Sequence, residues 1–219
     1  MDDLFVKPLP TSLLNRYKGW KATKFEENKV WYKRLADEGQ KPRAMIISCC
    51  DSRVHATSIF GADMGEFFIH RNIANLVPPF KADMEYHGTS AAVEYAIKNL
   101  KIPHLIVLGH SNCGGIKGGY EQSQKNNKNN IFEKSFVSQW LKILEPAIKN
   151  LKEGTTKEIA ISELEKTAIL VSISNLLTFP FVQESVEDGS LSLHALWQNI
   201  ATGSLEQYNS GTNFFEKVE

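Results

Sequence analysis

Bulky apolar residues recur at helical spacing over the first forty positions: Leu13, Tyr17 and Trp20, then Phe25, Trp31 and Leu35. That period predicts one or two amphipathic helices ending at Gly39. The pattern then changes. Residues 43–48 (RAMIIS) form a short apolar run behind Pro42, residues 66–71 (EFFIHR) follow Gly65, and residues 104–109 (HLIVLG) follow Pro103. Apolar runs of this length between turn residues predict buried strands. Residues 89–99 (TSAAVEYAIKN) place alanines, Val93 and Ile97 on one face behind a capping Thr89 or Ser90, which predicts a helix. Strands alternating with helices predict crossover units, hence an α/β fold with a central, mostly parallel sheet flanked by helices.

Helical patterns follow at 132–151 and 158–177, and a late strand at 190–200 is predicted to pair with 204–209 across Thr202 and Gly203. The polar stretch 122–130 (QSQKNNKNN) reads as a surface loop. With no internal repeat and no dividing linker, a single domain over 1–219 is expected, with 1–40 as a helical arm and 41–219 as the α/β core.

The 219 residues suffice to bury a proper core. Lysine plus arginine balances aspartate plus glutamate at 25 each, so no charge excess argues for nucleic acid or an anionic membrane as partner. No apolar run reaches the length of a transmembrane helix. The opening MDDLFVKPLP has acids and no apolar stretch of its own, so no secretory signal is expected. Three cysteines are too few for a disulfide scaffold and point to a reducing compartment, the cytoplasm.

Two of those cysteines stand side by side in SCCDSRV (48–54), and the third closes GHSNCGG (109–115). Cys49 directly follows one predicted strand and His110 another. Sites in open α/β sheets form beyond the carboxyl ends of strands, so both segments are delivered to one edge. Cys49, His110 and Cys113 then make a Cys₂His set suited to tetrahedral Zn²⁺, with one position left for catalysis. Gly114 and Gly115 allow a tight turn into a helix close to the metal. Asp51 can accept the hydrogen bond of a zinc-bound hydroxide and aim it, and Arg53 can hold Asp51 ionised through paired bonds. Cys50 reads as a small buried hydrophobe whose side chain points away from Cys49. A redox dithiol would want Cys-x-x-Cys, which is missing. His55, His70, His87, His104 and His194 read as surface or core residues, with His87 a candidate for proton relay.

The joint pattern CxDSR (Cys49, Asp51, Ser52, Arg53) and HxxCGG (His110, Cys113, Gly114, Gly115) resembles the β-class carbonic anhydrases, in their plant-type form. The likeness runs from about residue 13 to 208 and includes GEFFIHRNIANLVPP, HGTSAAVEYA and NLLTFPFVQE. It implies a zinc lyase that interconverts carbon dioxide and bicarbonate by way of zinc-bound hydroxide. It also implies a homodimer or higher homo-oligomer, with the N-terminal helices extending onto a partner subunit. By the same resemblance Gln40 donates a hydrogen bond to substrate, the Gly114 amide contacts a substrate oxygen, and Phe68, Ile73 and Tyr95 line the pocket. Ile46 and Gln198 stand where bicarbonate-regulated bacterial relatives carry tryptophan and tyrosine, although Arg71 is present, which argues against that regulation. Two other functions fit the same residues: hydrolysis of carbon disulfide or carbonyl sulfide, which are linear isosteres of the substrate, and a zinc-stabilised, non-catalytic binding protein.

Overall fold

Residues Ala44–Cys49 (AMIISC) are buried without exception and form strand β1, so this strand has neighbours on both edges and cover on both faces. The computed structural model describes residues 6–82, 87–124 and 135–218. The chain divides into two units, Met1–Gln40 and Lys41–Glu219.

The first unit is helical. Helix α1 (Thr11–Trp20) continues through a π-helical turn, Lys21–Phe25, and α2 (Lys29–Glu38) ends at Gly39, whose φ of 72° is a conformation glycine adopts without strain. The apolar spacing of the sequence is used within the unit: Trp20 packs its ring on Phe25 and edge-on to Tyr32, at centroid distances of 5.6 and 5.8 Å. Neither helix contains a buried residue.

In the second unit, β1 lies between β2 (Phe67–Asn72) and β3 (His104–His110), parallel to both. Next come β4 (Ser192–Gln198), parallel to β3, and the antiparallel β5 (Leu205–Asn209) and β6 (Phe214–Lys217), giving the order β2-β1-β3-β4-β5-β6. The mostly parallel α/β sheet agrees with the expectation from sequence. Cys49 and His110 prove to be the last residues of their strands rather than the first beyond them. Strand β6 has no counterpart in the predicted elements.

Between the strands run α3 (Ala56–Ile59), α4 (Gly88–Glu94, prolonged by a π-helical turn Tyr95–Asn99), α5 (Gly114–Gln124), α6 (Phe136–Leu141), α7 (Glu145–Lys149), α8 (Lys157–Leu176) and α9 (Pro180–Glu187). Three corrections follow. Thr89 is not a cap, since α4 begins one residue earlier and the Thr89 hydroxyl meets the His70 ring at 2.9 Å. The long pattern at 132–151 is broken into α6 and α7, with a proline in the first turn of the latter. Residues 122–124 of the expected loop complete α5, while 125–130 lie outside the described residues, as do 132–134 of the helical pattern.

Helix α8 organises the face of the sheet that carries Met45, Ile47, Leu105, Val107, Ala195 and Trp197. Ile46, Leu108 and Leu196 belong to a smaller cluster drawn from the alternate strand positions. Gly109 lets α8 approach: a Cβ there would stand 2.6 Å from Ile169 Cδ1 and 2.8 Å from its Cγ1. Among the described residues no single helix is long and apolar enough to cross a membrane.

Gly109→Ala is therefore expected to destabilise the protein by on the order of 1–3 kcal/mol through overpacking. Ile169→Val, which removes Cδ1, should return part of that loss in the double variant. Denaturant unfolding of the four proteins of this cycle checks it, and simple additivity would count against the contact.

Candidate metal centre

From β1 the chain proceeds outward to β2 on one side, then returns to β3 on the other. The C-terminal ends of β1 and β3 thus flank the point where strand order reverses, where open α/β sheets form crevices. Cys49 ends one strand and His110 the other, and Cys113 sits just before α5. All three are at least 95% buried. Their ligating atoms lie within 4.8 Å of one another, and the two sulfurs are 3.9 Å apart.

Each arm of the site is held from elsewhere. Arg71, at the end of β2, donates to the carbonyls of Cys49, Asp51 and Val54 at 2.9, 2.8 and 2.7 Å, clamping the 49–54 loop. Ser111 is tied to the end of β4 and to the turn after it, its amide donating to Gln198 O and its hydroxyl accepting from Ile200 N, each at 2.9 Å. Asn72 bonds both the amide and the carbonyl of Leu76, and α8 reaches the same segment through Ser172 and Asn175. That turn holds Ala74 and Asn75 at φ of 63° and 49°, left-handed values that side chains other than glycine adopt only when their surroundings impose them. Gly115 packs directly on it, for a Cβ there would come within 2.9 Å of Ile73 Cγ2. At Gly114 an added Cβ would meet nothing within 4 Å, so that glycine is not required by packing.

The donor atoms are prepared for a cation. His110 Nδ1 faces Ser111 O at 2.9 Å, which makes Nδ1 the N–H donor and leaves the lone pair on Nε2. Nε2 is buried and, among the described residues, has no hydrogen-bond partner. The sulfur–sulfur hydrogen bond with Cys113 lowers the Cys49 thiol from its ordinary range, against the effect of burial. The same bond, and burial, push Cys113 up. A divalent ion held by the triad would favour both sulfurs as thiolates. Two sulfurs each about 2.3 Å from a tetrahedral zinc stand about 3.8 Å apart, which the observed separation matches.

Asp51 and Arg53 form a fork beside the triad. Arg53 Nε donates to Asp51 Oδ1 at 2.9 Å, Nη2 to Oδ2 at 2.6 Å, and the Arg53 amide adds a third bond to Oδ1 at 3.0 Å. The guanidinium holds the Asp51 carboxyl well below the usual carboxylate range. Asp51 Oδ2 is 4.0 Å from His110 Nε2, so the carboxylate borders the metal position while both its oxygens stay with Arg53.

Of the five substrate-pocket residues named from sequence, Gly114 opens α5 beside the triad and the other four fall into three places. Ile73 is 39% exposed and lines a cavity of about 560 Å³ together with Cys50, His70, His87, Phe136 and Trp140. Phe68 and Tyr95 form a ring pair at 5.9 Å, with Tyr95 facing outward. Gln40 is exposed at the end of the helical unit. Cys50, expected as a small buried hydrophobe, is instead exposed, standing one residue beyond the end of β1. His104 and His194 pair with each other at 3.1 Å, and His55 pairs with Thr57 at 2.6 Å.

The profile of the carbonic anhydrase family matches residues 44–205, most of the second unit. The chain belongs to the β-carbonic anhydrase family. It is 34% identical to β-carbonic anhydrase 3 of Arabidopsis thaliana over 193 residues, covering 85% of this chain and 72% of that one. Its fold matches the β-carbonic anhydrase CcaA with a TM-score of 0.85 at 28% identity, over 95% of this chain and 91% of the other. It also matches one of two tetrameric β-carbonic anhydrases from the filamentous ascomycete Sordaria macrospora, with a TM-score of 0.72 at 27% identity, over 90% and 94%. β-Carbonic anhydrases use zinc, and the Cys₂His triad is placed for it.

Sequence reasoning missed two residues. The sequence places Arg71 only in a regulatory pocket, yet it clamps the loop that carries Cys49 and Asp51. Glu165 is an acid within the apolar stripe Leu164, Ala168, Ile169 of α8, and its Oε1 accepts the Cys113 amide at 3.1 Å. An acid on a buried helical stripe was the available signal.

Replacing Arg71 by Met should free the three carbonyls, and amides of residues 50–54 should exchange with solvent about 10-fold faster or more. Hydrogen-exchange mass spectrometry reads this against β3 as internal control. Unchanged exchange would remove the clamp.

Proposed function

We propose that this protein catalyses the reversible hydration of carbon dioxide to bicarbonate and a proton. The observation that carries the reading is an ionised Asp51, fixed by a bidentate Arg53, at the border of a buried Cys₂His triad. A site serving only to staple the fold needs the ligands and no such fork. Zn²⁺ held by Cys49, His110 and Cys113 supplies the Lewis acidity that makes water a nucleophile near neutral pH.

The chain's own groups do the rest. Asp51 accepts a hydrogen bond from the attacking water and so orients its lone pair toward the substrate carbon. With both oxygens engaged by Arg53, Asp51 is kept from closing on the metal, which supports an open fourth position. Carbon dioxide is small, linear and without a net dipole, so an apolar slot with one or two donors is what can hold it. Ile73, Phe68 and Tyr95 supply the apolar walls in this proposal, and the Gln40 side chain and Gly114 amide the donors. The outward-facing Ile73 and Tyr95, and helices α1 and α2 with no buried residue, support a homodimer in which the 1–40 arm of a single 1–219 domain lies on the partner.

The purified protein should hold about one zinc per chain and hydrate carbon dioxide at a rate that rises with pH and disappears on chelation. Asp51→Asn should keep the metal and the fold yet lower hydration roughly 10–100-fold. Stopped-flow assay with metal analysis tests both. Stoichiometric zinc without hydration well into the alkaline range would overturn the reading, and turnover of carbon disulfide or carbonyl sulfide in its place would transfer it to those isosteres.

A further inference from the structure

Helix α8 spends a buried stripe on the core, with Leu164, Ala168 and Ile169 fully covered, and in the middle of it stands Glu165, 4% exposed. An apolar side chain would pack there at lower cost, because a buried carboxylate loses its hydration. What the acid provides is an acceptor. Its Oε1 takes the amide hydrogen of Cys113 at 3.1 Å, across 52 residues of sequence.

The carbonyl of that same peptide group, Asn112 O, accepts Arg53 Nη2 at 3.0 Å. The same nitrogen donates to Asp51 Oδ2 at 2.6 Å. The Asn112–Cys113 peptide is thus gripped at both ends, by an acid from the core and a base from the rim. It needs holding, because Asn112 sits at a φ of 56°. Burial pushes the Glu165 carboxyl up, and the amides of Cys113 and Asn112 and the indole of Trp197 pull it back. Trp197 lines the same cleft as Glu165 and Cys113, and its buried Nε1 lies within the electrostatic reach of Glu165 without meeting hydrogen-bond geometry among the described residues.

We propose that Glu165 is a positioning residue for the metal centre: by fixing the Asn112–Cys113 peptide it sets the Cys113 thiolate on the metal and the Arg53–Asp51 fork beside it in one register. The inference rests on the zinc-enzyme reading above. It differs from a stabilising role, since the loss of Glu165 acts on the metal more than on the fold.

Three variants separate the contributions. Glu165→Ala removes the acceptor, Glu165→Asp keeps the charge but withdraws the oxygen by one methylene, and Glu165→Gln keeps the oxygen without the charge. Zinc affinity by chelator competition should weaken roughly 10–100-fold in the Ala and Asp variants. Their cobalt-substituted forms should show a shifted thiolate-to-metal charge-transfer band, while Glu165→Gln stays near wild type in both readouts. Wild-type affinity and spectrum in Glu165→Asp overturn the proposal, and that variant carries the test alone if Glu165→Ala does not fold. A wild-type protein that binds zinc but hydrates no carbon dioxide would remove the enzymatic reading, and Glu165 would still be judged by affinity and spectrum.

Discussion

Two thiols are packed among Ala74, Leu76, Ile116, Leu141 and Leu164, and a buried imidazole meets them away from water. Ionised sulfur in such surroundings is unfavourable unless a positive charge accompanies it. A cation resolves the conflict, because it takes both thiolates and the free lone pair of His110 and leaves no donor orphaned. The rest of the site can be understood as the means of keeping those three atoms together in the absence of any covalent link between their segments.

The means are side chains lent by neighbouring elements. Strand β2 lends Arg71 to the loop after β1. Helix α8 lends Ser172 to the 75–77 segment and Glu165 to the amide of Cys113. Strand β4 takes hold of Ser111. Each bond ends on a backbone group, so the loops are shaped at the level of the main chain and their ligands inherit the shape. This is also why Ala74, Asn75 and Asn112 tolerate left-handed backbone: the partners that hold them are already fixed by the sheet and α8.

Much of this was legible beforehand. The runs RAMIIS and HLIVLG are apolar because parallel strands are covered on both faces, and that same fact put Cys49 and His110 at one edge. The Asp51–Arg53 fork could be read from spacing, since two side chains two residues apart in a turn reach each other locally. Arg71 and Glu165 could not be read in the same way, because their partners are backbone atoms 17 to 52 residues distant and backbone leaves no mark in a composition. Short elements escaped for a different reason: β6 and α3 carry four residues each, too few to express a period. The break between α6 and α7 was hidden because Pro146 is tolerated in a first helical turn and does not disturb the apolar spacing around it.

The order of the strands has a kinetic implication. Cys49 and His110 are 61 positions apart (110 − 49), and the intervening chain contains β2 and α4. Closing so long a loop is an entropic hurdle met before any long-range contact repays it. His110 and Cys113 are near neighbours in sequence, but Cys49 joins them only when β1 pairs with β3, so the complete three-donor cradle exists only in the assembled sheet.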